Sequence, residues 1–252
     1  MTADARFAPI VALLDKAEQA GTPIRFWWRD DDAAKATPAL DALLAISARH
    51  HVPVALAVIP AALERSLVER LEAEPLVRVF QHGWAHENHA DKTKGERASE
   101  FGEGRPVAES LADLKRGHAI LRESFGDRFL PVLTPPWNRI GAEAARVRIE
   151  AGLTGLSTFD DAHADDPDCI NAHVDIINWK AGSIFAGADK TIAKLVAEID
   201  ARLAGKPAPI GILSHHLVHD DAANAFLDDL FSKLAHHPGA AWPPLERLFA
   251  TA

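Results

Sequence analysis

Three imidazoles fall within eight residues in Gln81-His82-Gly83-Trp84-Ala85-His86-Glu87-Asn88-His89. Neutral imidazole is the commonest side-chain metal ligand, and two histidines four apart can converge on one ion where the segment turns helically. The competing reading, a polar loop with water-facing histidines, suits a lone His better than three together. Asp30, Asp31 and Asp32 form a second group, beside Arg29 and after the run Ile24-Arg25-Phe26-Trp27-Trp28. Crowded, desolvated carboxylates raise one another's pKa, and a cation relieves that. One carboxylate with two imidazoles is a familiar open metal site that leaves a position for water, and a second, unliganded carboxylate could act as general base. Read alone, the same aspartates also suit a helix N-cap or a loop paired with Arg29. A third group is Ser214-His215-His216-Leu217-Val218-His219-Asp220. A histidine here could protonate a leaving group, or simply face solvent. Thr134-Pro135-Pro136-Trp137-Asn138-Arg139 is rigid and aromatic, suited to a pocket wall or to a packing turn. Trp27, Trp84, Trp137 and Trp179 lie near expected strand ends, where they could stack on sugar rings or sit in the core.

The elements that must position these groups alternate in type. Residues 5–20 read as a helix stopped by Gly21, and 24–28 as a first strand. Thr37-Pro38 starts a helix to about His50, with Thr as N-cap and Pro at the first helical position. Residues 52–59 are nearly all apolar and read as a strand buried on both faces, ended by Pro60. A helix over 61–73 precedes the strand 76–80, whose apolar run delivers the first histidine group. Residues 90–105 are charged and aperiodic, a long loop of the functional or mobile kind. Further helices are expected over 106–124, 141–151, 188–204 and 222–236, and strands over 129–133, 153–158, 174–177 and 209–213. This alternation implies an α/β fold with a parallel sheet of about seven strands and helical crossovers. No Gly-rich phosphate loop follows any strand, so a βα-barrel is expected over an open doubly wound sheet. Every unusual polar cluster (29–32, 82–89, 134–139 and 214–220) follows a strand. In a barrel these clusters would share the C-terminal mouth.

Composition narrows the function classes. A length of 252 residues suits one large α/β domain or two small ones, and no repeat or linker splits the chain. A formal net charge of −9 disfavours a nucleic-acid partner. No apolar run approaches membrane-span length, so no membrane partner is expected. The amphipathic character of residues 1–21 reads as a helix rather than a signal peptide, and the single Cys169 suits the cytoplasm. Cys169 is expected to be a packed thiol rather than a nucleophile.

Together, in order, these clusters resemble the motifs of the polysaccharide deacetylase family (the NodB-homology, or carbohydrate esterase family 4, domain). Asp31-Asp32 looks like the family's Asp-Asp pair, His82-Gly-Trp-Ala-His86 like His-x-x-x-His, and Pro135-Pro136-Trp137 like Arg-x-Pro-aromatic. Asp175 to Trp179 looks like the late Asp/Trp segment, and Leu213-Ser214-His215 like Leu-x-His. The resemblance spans residues 24–220 and implies a distorted, incomplete βα-barrel. It implies that Asp32, His82 and His86 bind a divalent metal, zinc first, with cobalt or nickel as alternatives. It implies Asp31 as general base and His215 as general acid in hydrolysing an amide, with an N-acetylated sugar as substrate. Pro136, Trp137, Asn138, Arg139, Trp84 and Trp179 would contact that substrate. An alternative register takes Asp30 as base and Asp31 as ligand.

The chain departs from the family pattern at three points. Thr134 stands where the family has the Arg that positions the base, so either Arg29 or Arg139 substitutes or the activity differs. Ala33-Ala34 replaces the usual Gly-Pro, and a secretion signal is not expected. An allantoinase-like hydrolase of a small amide, or a non-catalytic carbohydrate-binding domain, are therefore the alternatives. A structural zinc site would instead recruit His89 as a fourth ligand. His216, Glu87 and His89 are further candidate contacts. Ser157-Thr158-Phe159-Asp160-Asp161 also resembles the first motif, but follows the His pair and is out of order. His86-Glu87-Asn88-His89 lacks the spacing of a zinc-protease helix.

Overall fold

A computed structural model of the chain describes residues 3–250. Its strands are β1 (Ile24–Ala33), β2 (Val54–Val58), β3 (Val77–His82), β4 (Phe129–Thr134), β5 (Gly155–Leu156), β6 (Val174–Asp175), β7 (Ile177–Asn178), β8 (Ile184–Phe185), β9 (Ile210–Ser214) and β10 (Ala240–Ala241). Its α-helices are α1 (Ala3–Arg6), α2 (Ala8–Gln19), α3 (Pro38–His50), α4 (Arg65–Leu71), α5 (Val107–Phe125), α6 (Ala142–Val147), α7 (Ala188–Leu203), α8 (Asp221–Leu234) and α9 (Leu245–Leu248). The main sheet runs β5-β4-β3-β2-β1-β9-β6, with β10 added to β1. The registers β3/β4, β4/β5, β1/β9 and β6/β9 are all parallel, as the strand–helix alternation requires.

The chain's contacts cluster into two compact units, each assembled from separated segments. One takes the residues up to Asp30, Thr37–Val54 and Ala172–Leu248, and the other Asp31–Ala36, Ala55–Asn171 and the residues from Phe249. In the first unit, Thr37 caps α3 by accepting a hydrogen bond from the Leu40 amide at 3.1 Å, and Pro38 opens the helix. Helix α3 packs against α8, and α2 against α7. The five-residue register Phe26↔Ile210 to Asp30↔Ser214 brings the end of β9 beside the aspartates of β1. In the second unit, α5 lies on β3 and β4. It comes close because Gly117 has no side chain: a Cβ there would stand 2.3 Å from Gln81 Nε2.

Two strand ends differ from the sequence expectation in a way that matters for chemistry. β1 continues past Trp28 through all three aspartates, and β3 continues past Phe80 to include His82. The expected helix over 61–73 is a short 3-10 turn at Pro60–Ala62 followed by α4. The expected strand over 174–177 is two elements. β6 pairs with β9, while β7 turns away to form a hairpin with β8.

Candidate active site

Within the second unit, β3 ends on His82. Its neighbour Gln81 points at α5, where Nε2 donates to the Leu114 carbonyl at 3.2 Å, so alternation turns His82 to the opposite face. His82 Nδ1 lies 2.9 Å from the Thr134 carbonyl oxygen. A carbonyl only accepts, so Nδ1 carries the proton and Nε2 presents its lone pair. That Nε2 stands 3.1 Å from Asp32 Oδ1, and His86 Nε2 stands 3.4 Å from the same oxygen. The three ligand atoms lie within 4.8 Å of one another. Three acceptor atoms converging on one point, two of them imidazole nitrogens, form a donor set that fits a divalent cation. Burial, and then the neighbouring His82, push the pKa of His86 down, while Asp32 and Glu100 pull it back without cancelling the shift. The neutral, ligating form of His86 is thereby favoured.

The backbone around this group is strained. Asp32 (φ 71°), His86 (φ 57°), Trp137 (φ 56°) and Asn138 (φ 54°) all adopt the left-handed region. Non-glycine residues avoid that region, and where it persists the surroundings hold it, often at functional sites. The Trp137 ring packs 4.4 Å from the His86 ring and covers one side of it. Pro136 is buried against Gly83, where an added Cβ would stand 2.6 Å from the proline Cδ.

In the first unit, Asp30 is fully buried and committed to structure. Its Oδ2 accepts from Ser214 Oγ at 2.6 Å and from the His216 amide at 2.9 Å, and Oδ1 pairs with His216 Nδ1 at 2.5 Å. Trp28 Nε1 donates to Ser214 Oγ at 2.8 Å, and the Trp28 ring lies 4.8 Å from Phe231 of α8. Trp28 and Asp30 therefore face α8, and the alternate residues Arg29 and Asp31 share the other face of β1. Burial pushes the Asp30 pKa up, but the charge of His216 and the hydrogen bonds from His216 and Ser214 outweigh it and hold the carboxyl low. Next to this pair, His215 is buried with its ring edge-on to Trp179 at 4.5 Å. Trp179 is 46% exposed, and its Nε1 donates to Asp175 Oδ2 at 2.8 Å.

The other sequence candidates are dispersed. The Trp84 ring lies under the Arg116 guanidinium, 4.2 Å away, and lines a hollow with Pro60, Leu63, Val68 and Ile120. Arg139 donates from Nη1 to the Ala98 carbonyl at 2.9 Å. His89 and Glu87 are exposed, and among the described residues neither joins the Asp32–His82–His86 group. Asp160 and Asp161, the out-of-order match, are also absent from it, and Thr158 beside them bonds Asn171. Cys169 packs against Asn171 Oδ1 at 3.1 Å, and burial pushes its thiol up to about 11.

Sequence reasoning missed Glu100, a buried carboxylate bonded to the amides of Trp84 and Ala85. It sits in an aperiodic charged stretch where nothing marks one Glu from the next. It also missed Ser214 as a partner of Asp30 and Thr134 as the carbonyl that orients His82.

No protein-family model and no curated protein matches the chain. Solved structures do match. A putative polysaccharide deacetylase from Mycobacterium smegmatis aligns with a TM-score of 0.66 at 16% identity, over 90% of this chain and 88% of its own. The Bc1960 peptidoglycan N-acetylglucosamine deacetylase aligns at 0.57 and 16%, over 91% and 90% of the two chains. A family 4 acetyl xylan esterase from Clostridium thermocellum, in complex with a cobalt ion, aligns at 0.54 and 12%, over 90% of each. At these identities the likeness is one of fold. That fold is the distorted, incomplete (β/α) barrel of about seven parallel strands seen in NodB-like deacetylases.

Proposed function

We propose that this chain, whose fold is that of the polysaccharide deacetylases, is a metal-dependent hydrolase of C–N amide bonds that removes acetyl from an N-acetylated sugar. The observation that carries the reading is the convergence of Asp32 Oδ1, His82 Nε2 and His86 Nε2 within 4.8 Å. One carboxylate and two imidazoles suit zinc, with cobalt or nickel also compatible, and leave coordination positions open. Such an ion, when bound, polarises a carbonyl and makes water a better nucleophile at neutral pH.

The chain's own residues supply the proton transfers. Asp31 takes a proton from the attacking water as its oxygen adds to the acetyl carbonyl carbon. As the C–N bond breaks, His215 gives a proton to the departing nitrogen, leaving acetate and a free amine. These roles follow the motif resemblance, and two features support them. Asp30 is occupied by Ser214 and His216, which leaves Asp31 as the buried carboxylate next to the ligand Asp32. Arg29 is fully buried two residues before Asp31 on the same strand face, so it is our candidate for the family's base-positioning Arg. Trp137 beside His86 and the exposed Trp179 beside His215 are the candidate sugar platforms. We take the chain as one catalytic domain acting in the cytoplasm on a carbohydrate, without nucleic-acid or membrane partners.

One observation favours a second reading, a small-amide hydrolase or a non-catalytic carbohydrate-binding domain. Thr134 donates its hydroxyl to the Gln81 carbonyl at 3.0 Å and so does not replace the family Arg. The experiment that tests the metal reading is metal content after purification without added metal, in the wild type and in His82→Ala. About one equivalent of divalent metal, lost in the variant, is expected for a site of this ligand set. A metal-free wild type that also fails to take up zinc, cobalt or nickel leaves the binding domain ahead.

A further inference from the structure

The irregular stretch between β3 and α5 divides in two. Residues 92–97 are mostly exposed, whereas Ser99, Glu100 and Phe101 are buried. The buried strip is bonded on both sides. The His89 amide donates to the Ser99 carbonyl at 2.9 Å, and the Ser99 amide to Asn88 Oδ1 at 3.1 Å. On the other side, Ser99 Oγ donates to the Arg139 carbonyl at 3.0 Å, and the Gly141 amide to the Phe101 carbonyl at 2.7 Å. The strip is thus a brace between the loop carrying His86 and the loop carrying Trp137, not a lid.

At its centre is Glu100. Its Oε2 accepts from the Trp84 amide at 3.0 Å and its Oε1 from the Ala85 amide at 2.7 Å. These are successive amides of the turn between His82 and His86. Gly83 makes room for the carboxylate: at φ 60°, a Cβ there would lie 2.0 Å from Oε2. A buried carboxylate is unfavourable unless its oxygens are well bonded, and here both oxygens accept from the turn. The turn ends at a left-handed His86 (φ 57°), a strained conformation for a non-glycine residue that its surroundings must hold.

We propose that Glu100 is a positioning residue of the metal centre: by gripping the Trp84 and Ala85 amides it sets the turn that aims His86 Nε2 at the point shared with Asp32 and His82. The inference rests on the reading of that trio as a metal site. Groups that orient metal ligands typically change affinity by about 10–100-fold when replaced. In Glu100→Gln, one oxygen can still accept, but the new NH2 faces an N–H and repels it.

The test is titration of the metal-free wild type, Glu100→Gln and Glu100→Asp with Zn²⁺, read by calorimetry, and with Co²⁺, read by its visible absorption. Phe226→Leu, in α8, serves as a control for general loss of stability. The expected result is a zinc affinity lowered about 10–100-fold in Glu100→Gln, a smaller loss in Glu100→Asp, which keeps the charge, and wild-type affinity in Phe226→Leu. The cobalt spectrum of Glu100→Gln should change in shape, which global destabilisation alone does not produce. Wild-type affinity and spectrum in Glu100→Gln overturn the role of Glu100 and leave the metal site standing. A wild type that binds neither ion overturns the metal reading itself, and with it this inference. If Glu100→Gln does not fold, Glu100→Asp decides: affinity equal to wild type counts against the proposal, and a loss supports it.

Discussion

Replacing Asp30 separates a structural aspartate from the neighbours proposed to act in catalysis. Asp30 accepts three hydrogen bonds, from Ser214 Oγ, the His216 amide and His216 Nδ1, all out of contact with solvent. In Asp30→Asn, the remaining oxygen can keep Ser214 and the His216 amide. The new NH2 can donate to His216 Nδ1 if the imidazole moves its proton to Nε2. What is lost is the charge assistance, about 2 kcal/mol. Asp30→Ala removes every acceptor, strands the buried donors and leaves a void, and breaking a buried charged pair this way costs about 3–5 kcal/mol. The assay is urea unfolding followed by circular dichroism, with bound metal measured on the folded variants. With a slope of about 2 kcal/mol per molar, Asn should lower the midpoint by about 1 M and Ala by about twice that. Both variants should hold metal like the wild type, because Asp32, not Asp30, lies within reach of the histidines. The reasoning is refuted if Asp30→Asn is as stable as wild type, or if it folds normally and loses the metal. The second result would give Asp30 a part in holding the metal, a role that neither register assigns to it.

Two other positions give sharp tests. Gly83→Ala places a methyl 2.0 Å from Glu100 Oε2 in a left-handed conformation. Left-handed strain of about 1–2 kcal/mol and overpacking of about 1–3 kcal/mol add, so a loss of about 2–5 kcal/mol is expected in thermal or urea unfolding. An unchanged midpoint would show that the turn relaxes freely. Cys169 has its thiol raised from 9.0 to about 11 by burial and by the nearby Asp166. The thiolate is the nucleophile, so iodoacetamide at pH 8 should modify the folded protein about a hundredfold more slowly than the urea-unfolded chain. The rate should climb with pH towards 11. Equal rates in both states would mean the thiol is open to solvent.

Much of the scaffold was legible because single residues carried it. Thr37-Pro38 marked the start of α3, and the apolar run 52–59 marked β2, since caps and buried strands have local signatures. The ordered clusters marked the candidate ligands His82 and His86. Strand ends were less legible: Asp30, Asp31 and Asp32 read as a cluster following the strand, yet β1 runs through them, because Ser214 at the end of β9 and His216 just after it satisfy Asp30. No local pattern carries that information, since the partners are more than 180 residues away. The same holds for Glu100, whose burial depends on Gly83 and on two amides of another segment. The break between β6 and β7 was hidden because Val174 to Ile177 is one short run in sequence, while Ile176 is where the chain leaves β9 for the hairpin. The register among the three aspartates is not legible in the sequence either, for residues of one type carry no label until their neighbours are known.

The most direct test of the central claim is acetate release from N-acetylglucosamine oligomers by zinc-loaded protein, comparing wild type, Asp31→Asn and the chelator-treated enzyme. The account predicts turnover by the wild type and its loss on chelation with recovery on adding zinc back. It predicts a variant that still binds one equivalent of zinc but releases acetate at least about a hundredfold more slowly, as removal of a general base implies. Acetate release that persists undiminished in Asp31→Asn or in the chelated protein would contradict it. So would a zinc-loaded wild type that binds the oligomers and never cleaves them.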